Sequence, residues 1–322
     1  MAKRRLRRED YAAGCVCALP TELAALEESL DEEHQHHPSN SANIYTLGRI
    51  GEHNIVLACL PAGQIGTNSA AVVAIRMKSD FPMIRFALMV GIGGGVPSER
   101  ADIRLGDVVV SQPHNQHGGV VQYDFGKATQ NGFERTGHLT PPPAILLSAV
   151  TNLQSKHIRG RSRLSEYLSK LANRPYFARE SAGPDVLFKA NYNHVGETTC
   201  ELCSKEMVVE RPPRTSQETV IHYGTIASGN KVIRDGATRD RVSSELGGVI
   251  CFEMEAAGLM NNFPCLVIRG ICDYADSHKN KKWQGYAAAT AAAYAKELLS
   301  VIPATEVATA PPIEETITGK NG

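Results

Sequence analysis

The reading of the fold rests on Val249-Ile-Cys-Phe-Glu-Met-Glu-Ala-Ala-Gly-Leu-Met260 and, a short gap later, Cys265-Leu-Val-Ile-Arg-Gly-Ile-Cys-Asp273. Val249 to Phe252 and Cys265 to Cys272 have the length and bulk of buried strands. The residues through Met260 keep helical spacing, and Lys282 to Val301 reads as a long Ala-rich helix. Working outward, the alternation repeats. Tyr11 to Leu19 predicts a buried strand and Thr21 to Leu30 a helix beginning just after Pro20. Ile44 to Ile50 and Asn54 to Leu60 predict a hairpin about Gly51. Ser69 to Lys78 is helical, and Arg85 to Gly91 is a strand entering a turn at Gly91-Ile-Gly-Gly-Gly95. Further strands are expected at Asp107–Ser111, Val120–Phe125 and Val220–Ala227, with helices at 141–156 and 234–246. Strands interleaved with helices on both sides imply an α/β three-layer sandwich around a central mixed β-sheet.

Composition sets outer limits. Thirty-four Lys+Arg balance 34 Asp+Glu, so no basic excess points to nucleic acid or to an anionic membrane surface. A hydrophobic share of 42% and a charged share of 21% are those of a folded globular chain. The longest apolar and glycine run, 86–96, is about half of the ~20 residues that a membrane span needs. Met1 to Asp10 is a basic tail leading into a strand, which is not the pattern of a secretory signal. Cys15, Cys17, Cys59, Cys251, Cys265 and Cys272 sit inside apolar runs as buried thiols, in keeping with a reducing, cytoplasmic setting. Residues 157–218 are polar, Arg-rich and proline-bearing. They read as an insertion in one domain spanning 11–302, with 303–322 a flexible linker or tail.

Several templates for chemistry are absent: no G-x-x-x-x-G-K-[ST], no H-E-x-x-H, no G-x-S-x-G. Cys200-x-x-Cys203, with His194 before it and His222 after it, has the residue types of a zinc site, against the plainer reading of two free thiols in a loop; no metal enters the expected catalytic set. His34, His36 and His37 read as a solvated patch. The carboxylates say more. Glu22 stands at the end of the first strand, Glu253 and Glu255 follow Val249–Phe252, and Asp273 directly follows Cys265–Cys272. Each taken singly reads as a helix cap or first-turn charge. Together, with Arg269 inside an apolar strand, they outline a site on one edge of the sheet. Carboxylates in different environments can divide acid and base roles, a pairing suited to glycosyl bond cleavage.

These blocks resemble the purine nucleoside phosphorylase/uridine phosphorylase superfamily, in particular its nucleosidase branch. Within it the chain looks most like the nucleosidase-type domain at the N-terminus of fungal NOD-like, ankyrin and tetratricopeptide-repeat receptors. The resemblance covers about 11–302 and rests on Cys17-Ala-Leu-Pro-Thr-Glu22, Val90-Gly-Ile-Gly-Gly-Gly-Val96, Ala227-Ser-Gly-Asn-Lys-Val-Ile233, and Phe252-Glu-Met-Glu-Ala-Ala257 with Arg269-Gly-Ile-Cys-Asp273. It implies a nucleoside phosphorylase-like fold and a purine nucleosidase. Glu22 would activate the attacking water and Asp273 would protonate purine N7. Glu255 would bind the ribose hydroxyls and Met254 would pack beneath the sugar. Val232 and Ile233 would bracket the base, with Gly93 and Gly94 in a turn beside the ribose. The resemblance implies no cofactor, and a homo-oligomer, dimer or trimer.

Two departures favour hydrolysis over the alternative, phosphorolysis with inorganic phosphate. Ile92 stands where related enzymes often carry Ser or Thr, and Pro20-Thr21 stands where phosphorylases place a phosphate-binding arginine. Asn230 replaces a usual Asp. Asp276-Ser-His-Lys-Asn-Lys-Lys-Trp283 is basic, and Trp283 falls where nucleosidases line the sugar 5′ end. Together with Lys231, Arg234 or Arg104, this loop and its Lys281 could hold 5′-phosphates, with a solvated loop as the plainer reading. The expected ligand is therefore a purine nucleoside or nucleotide, with ATP releasing adenine as one candidate. A catalytically silent purine-sensing module of a receptor is the reading from another class. Adenine and guanine are not distinguished.

Overall fold

The structure is a computed structural model that describes residues 3–36, 42–130, 132–197, 199–216 and 218–313. Of the sequence readings above, Met1 and Ala2, His37 and the tail beyond Ile313 lie outside the described residues. In chain order, β1 (Ala13–Cys17) leads into α1 (Pro20–Glu28), and β2 (Glu32–Glu33) precedes the hairpin of β3 (Tyr45–Ile50) and β4 (His53–Cys59). Next come α2 (Thr67–Asp80), β5 (Phe86–Gly95), β6 (Val108–Ser111) and β7 (Val120–Gln122). A small hairpin of β8 (Gly126–Thr129) and β9 (Gly132–Arg135) precedes α3 (Ala144–Ile158) and α4 (Leu164–Ala172). The last part holds β10 (Ile221–Gly224), β11 (Ile226–Ser228), α5 (Gly236–Glu245), β12 (Cys251–Glu253), β13 (Cys265–Asp273), α6 (Gln284–Leu299) and α7 (Ala304–Thr309).

The main sheet runs β10-β6-β13-β5-β1-β4-β3-β2. Its centre is parallel: β1 pairs with β4 and β5, and β13 pairs with β5. The β13–β6, β12–β5 and β3–β4 pairs are antiparallel, which makes the sheet mixed. Side chains alternate between two cores, as strand geometry requires. Phe86, Leu88 and Val90 of β5 face a core shared with α1, α3, α4 and α6, whereas Ala87 and Met89 face the core of α2 and residues 256–263. Both faces are covered, and the three-layer α/β sandwich is what the alternation of apolar runs implied.

Layer spacing is set by small residues. A Cβ added at Gly270 of β13 would collide with the backbone of Ala287, so only glycine lets α6 lie this close. That proximity explains the alanines along α6, whose residues are buried almost throughout.

Several expectations need correction. The Gly91–Gly95 run is not a turn: β5 continues unbroken to Gly95, paired with β13 and β12. Here the glycines meet the need for room. A Cβ at Gly91 would strike the Glu22 carboxylate and the Arg269 guanidinium, and one at Gly94 would sit 2.9 Å from Asp273 Oδ1. Val220–Ala227 is two strands, β10 beside β6 and β11 between β7 and β12. The helix expected through Met260 shrinks to a 3-10 turn at Ala256–Gly258, because Gly258 is pressed against the Thr67 backbone. Helix α4 packs Leu164, Tyr167 and Leu171 into the same core as α6. Beyond Pro303 the chain forms α7 and docks Ile313, whose N–H donates to Ile84 O at 2.9 Å. His34 is buried, bonded through Nδ1 to the Tyr11 hydroxyl at 2.9 Å, and is no part of a solvated patch.

Candidate active site

Strands β5 and β13, the end of β12 and the start of α1 converge on a cavity of about 430 Å³. Glu22 enters it because Pro20 opens α1, which places Glu22 in the first turn. There the carboxylate caps its own helix. Oε2 accepts from the Ala18 and Leu19 N–H groups at 2.7 and 2.8 Å, and Oε1 accepts from Ile92 N–H at 2.8 Å. Complete burial pushes its pKa up, opposed by Arg269 and these N–H donors. Glu22 is thus a helix cap whose carboxylate lines the cavity.

Glu253 and Glu255 flank the same space. Glu253 accepts from the Glu255 and Ala256 N–H groups and forms a close, fully buried ion pair with Arg269. Glu255 lies 3.5 Å from the same guanidinium and accepts from Gly66 N–H at 3.4 Å. Burial pushes Glu255 up to about 7, with Arg269 acting against that rise and the neighbouring carboxylates adding to it. Arg269 does not line the cavity. It lies beneath, fully buried, and holds three carboxylates: Glu253, Glu255 and, at 3.9 Å, Glu22. Burial alone would lower its pKa, but the carboxylates outweigh that and raise it, so this arginine is a permanent cation.

Asp273 closes β13. Its Oδ1 accepts from Ala275 N–H at 2.9 Å, and Ala275 takes the left-handed conformation with φ of 50°. The same Oδ1 lies 3.3 Å from Lys279 Nζ. Burial acts to lower the Lys279 pKa, yet Asp273 and Cys272 overcome it and the ammonium is held above its ordinary value. Lys279 was visible only as one of three lysines in a basic loop, because nothing in sequence shows which of them turns back onto Asp273.

Of the remaining expected residues, Lys231, Val232, Ile233, Met254, Gly93, Gly94 and Lys281 all line the cavity. The 231–233 segment is held by the Tyr123 hydroxyl, which donates to Lys231 O. Asn230 Oδ1 accepts from Thr67 N–H and Oγ1 at 3.0 and 3.1 Å, tying the segment to the start of α2. An Asp carboxylate would accept the same two bonds, so nothing in the structure explains Asn at this position. Trp283 is elsewhere: it lines a neighbouring cavity, with its Nε1–H toward Pro184 O and Arg179 stacked on its ring. Gln284, unmarked in the sequence, takes the place on this cavity wall. Arg104 pairs with Asp102 away from the site. His222 pairs with Asp107, whereas His194, Cys200 and Cys203 come together.

The arrangement offers an ionisable carboxylate at Glu22, a second at Asp273 under an ammonium, a rigid polar shelf at Glu253–Glu255, apolar walls at Val232, Ile233 and Met254, and lysines at one rim. Comparison with known proteins agrees in kind. A family model described as the phosphorylase superfamily matches residues 12–302. A nucleotide-binding leucine-rich repeat (NLR)-like protein of Hyaloscypha variabilis is 48% identical over 307 residues, covering 92% of this chain. The chain spans only 30% of that protein's length. A 5′-methylthioadenosine/S-adenosylhomocysteine nucleosidase of Mycobacterium bovis is 26% identical, with 90% of this chain and 96% of that one covered. ATP nucleosidase Cap17 of Escherichia coli is 25% identical over 85% of this chain and 48% of its own length.

Proposed function

Because the chain belongs to the phosphorylase superfamily, we propose that it hydrolyses the N-glycosidic bond of a purine nucleoside or nucleotide, with ATP releasing adenine as the leading candidate. The observation that carries this reading is that Glu22, Asp273 and Lys279 line one cavity, with Lys279 Nζ 3.3 Å from Asp273 Oδ1.

In this reading Val232 and Ile233 bracket the base, Met254 packs beneath the sugar, and the ribose hydroxyls bind Glu255. Glu22 takes a proton from a water that attacks C1′. A bond forms from that oxygen to C1′ as the C1′–N9 bond breaks and its electron pair passes to the purine. Protonation of N7 by Asp273 makes the leaving group neutral. A carboxylate with a raised pKa is the better base near neutrality, which suits Glu22. The Arg269 cluster contributes a shelf already organised before substrate arrives, so little reorganisation is left for the transition state.

Lys279 supports the nucleotide over the nucleoside. Its ammonium lies 3.3 Å from Asp273 Oδ1 and is held protonated by that carboxylate and Cys272, so a cation stands on the lining of the cavity. A 5′-phosphate near Lys281 and Lys231 would compete with Asp273 for that ammonium and gain a charge-assisted contact that an uncharged 5′ group cannot make. The kinship with an ATP nucleosidase points the same way; that with a methylthioadenosine nucleosidase points to an uncharged 5′ group.

The test is incubation of the purified protein with ATP, AMP, adenosine and methylthioadenosine, with and without inorganic phosphate, followed by chromatography of the free base and sugar. Adenine and ribose triphosphate from ATP are expected, independent of phosphate. Equal or better cleavage of the uncharged nucleosides would reject the nucleotide reading, and ribose 1-phosphate would reject hydrolysis.

A further inference from the structure

The loop that carries Cys200 and Cys203 does not line the cavity of Glu22; it lines a second cavity of about 490 Å³ that shares Cys272 and Asp273 with the first. The ligand atoms of His194, Cys200 and Cys203 all lie within 4.8 Å of one another. A tetrahedral zinc with Zn–S of about 2.3 Å and Zn–N of about 2.0 Å needs ligand atoms about 3.5–3.8 Å apart, so a contraction of about 1 Å completes the set. Both cysteines are free thiols. The imidazole is already oriented. Its Nε2 meets Thr199 O at 3.1 Å, and because a carbonyl only accepts, Nε2 carries the proton and Nδ1 keeps its lone pair. An N–H to backbone carbonyl bond of this type is the usual outer support of a metal-bound histidine.

A second observation points to a ligand here. His278 stacks on Phe188 at 4.0 Å between ring centroids, and its ring lies 5.6 Å from that of His194. It is more than nine-tenths buried, yet neither ring nitrogen has a hydrogen-bond partner among the described residues. Its nearest carboxylate, Asp276, is 3.7 Å away. His278 and Asp276 line the same cavity as the two cysteines. A buried imidazole without partners is costly unless something else occupies the space it faces.

We propose that His194, Cys200 and Cys203 bind one zinc ion as a structural clasp, with the fourth coordination position facing the cavity, where a zinc-bound water would supply His278 with the partner it lacks. The clasp ties residues 194–203 to the segment that follows Asp273. His194 N–H already donates to Ser277 Oγ at 2.9 Å, and Ser277 lies two residues before Lys279. A metal held here would therefore fix the loop that brings Lys279 back to Asp273. That consequence rests on the function proposed above; the metal site itself does not.

The experiment is elemental analysis of the purified protein, before and after dialysis against zinc, alongside Cys200→Ser, Cys203→Ser and His194→Ala. About one zinc per chain is expected in the wild type, and a large loss in each variant. Replacement by cobalt(II) should give the ligand-field and thiolate charge-transfer bands of a tetrahedral site, a readout independent of activity and of how well any variant folds. A wild-type protein that neither contains nor takes up zinc would overturn the proposal. So would unchanged zinc in the cysteine variants, or mass spectrometry showing Cys200 and Cys203 joined as a disulfide in the freshly purified chain.

Discussion

Lys279 Nζ and Asp273 Oδ1 lie 3.3 Å apart at the mouth of the cavity. The proposed acid is thus paired with an ammonium from its own loop. A 5′-phosphate would compete with Asp273 for that ammonium, and an uncharged 5′ group would not. Replacing Lys279 by Met should lower kcat/KM for ATP by roughly 10- to 100-fold, the worth of one charge-assisted contact, while leaving adenosine cleavage unchanged or faster. Parallel steady-state assays on the two substrates decide it. Equal losses on both would remove Lys279 from phosphate recognition.

Asp273→Asn keeps shape but cannot deliver a proton. Loss of about 10²–10⁴-fold in kcat is expected, the range for removing one general acid. A substrate whose leaving group needs no protonation should lose far less. A mild effect on ATP itself would shift the acid role to another group.

The raised pKa of Glu22 sets the acid side of the pH profile. The base form is needed, so kcat/KM should fall on acidification at a pH above the ordinary carboxylate range. A profile flat down to the ordinary range would contradict Glu22 as base.

Glu255 affects stability with the opposite sign from a paired surface carboxylate. Its pKa is about 7 in the folded chain against an ordinary 4.5, so the folded state holds the proton more tightly than the unfolded state. Its contribution is fully present below about 4.5 and is lost as pH rises through about 7. At roughly 1.4 kcal/mol per unit, the difference amounts to about 3 kcal/mol. Urea midpoints measured across this window should decline, and Glu255→Gln should flatten the decline.

Arg269→Met leaves three buried carboxylates without their cation. A loss of about 3–5 kcal/mol is expected, read from denaturant midpoints against wild type. A change under about 1 kcal/mol would mean that the carboxylates are protonated or reached by solvent. Gly94→Ala is the milder probe of the same wall: its methyl would meet Asp273 Oδ1 at 2.9 Å and Ala275 Cβ at 2.8 Å, so kcat should drop with little change in the far-ultraviolet spectrum.

The layered α/β fold was legible because strands buried on both faces read as short apolar runs, and β1, β5 and β13 are such runs. The carboxylates were legible because Asp273 closes β13, Glu253 closes β12 with Glu255 just beyond it, and Glu22 stands in the first turn of the helix that follows β1. What escaped reading depends on contacts remote in sequence. The glycines of β5 look like a turn until Glu22, Arg269 and Asp273 are seen crowding them. Trp283 looks like a wall of the site until the start of α6 turns it toward Pro184 and Arg179, giving that wall to Gln284. The hairpin of β8 and β9 has no alternation of apolar residues to announce it, since its side chains lie largely on the surface.

Helix α6, pressed against Gly270 at Ala287 and lined by alanines along much of its buried length, constrains how the molecule can vary. It is a fixed floor. A side chain at Gly270 would push α6 off the sheet at Ala287, and β13, with Arg269 and Asp273, would move with it. On the proposed function, tuning toward a larger or smaller base, or a longer or shorter 5′ group, would fall to Lys231, Val232, Ile233, Lys279 and Lys281, which line the cavity from loops outside the strands.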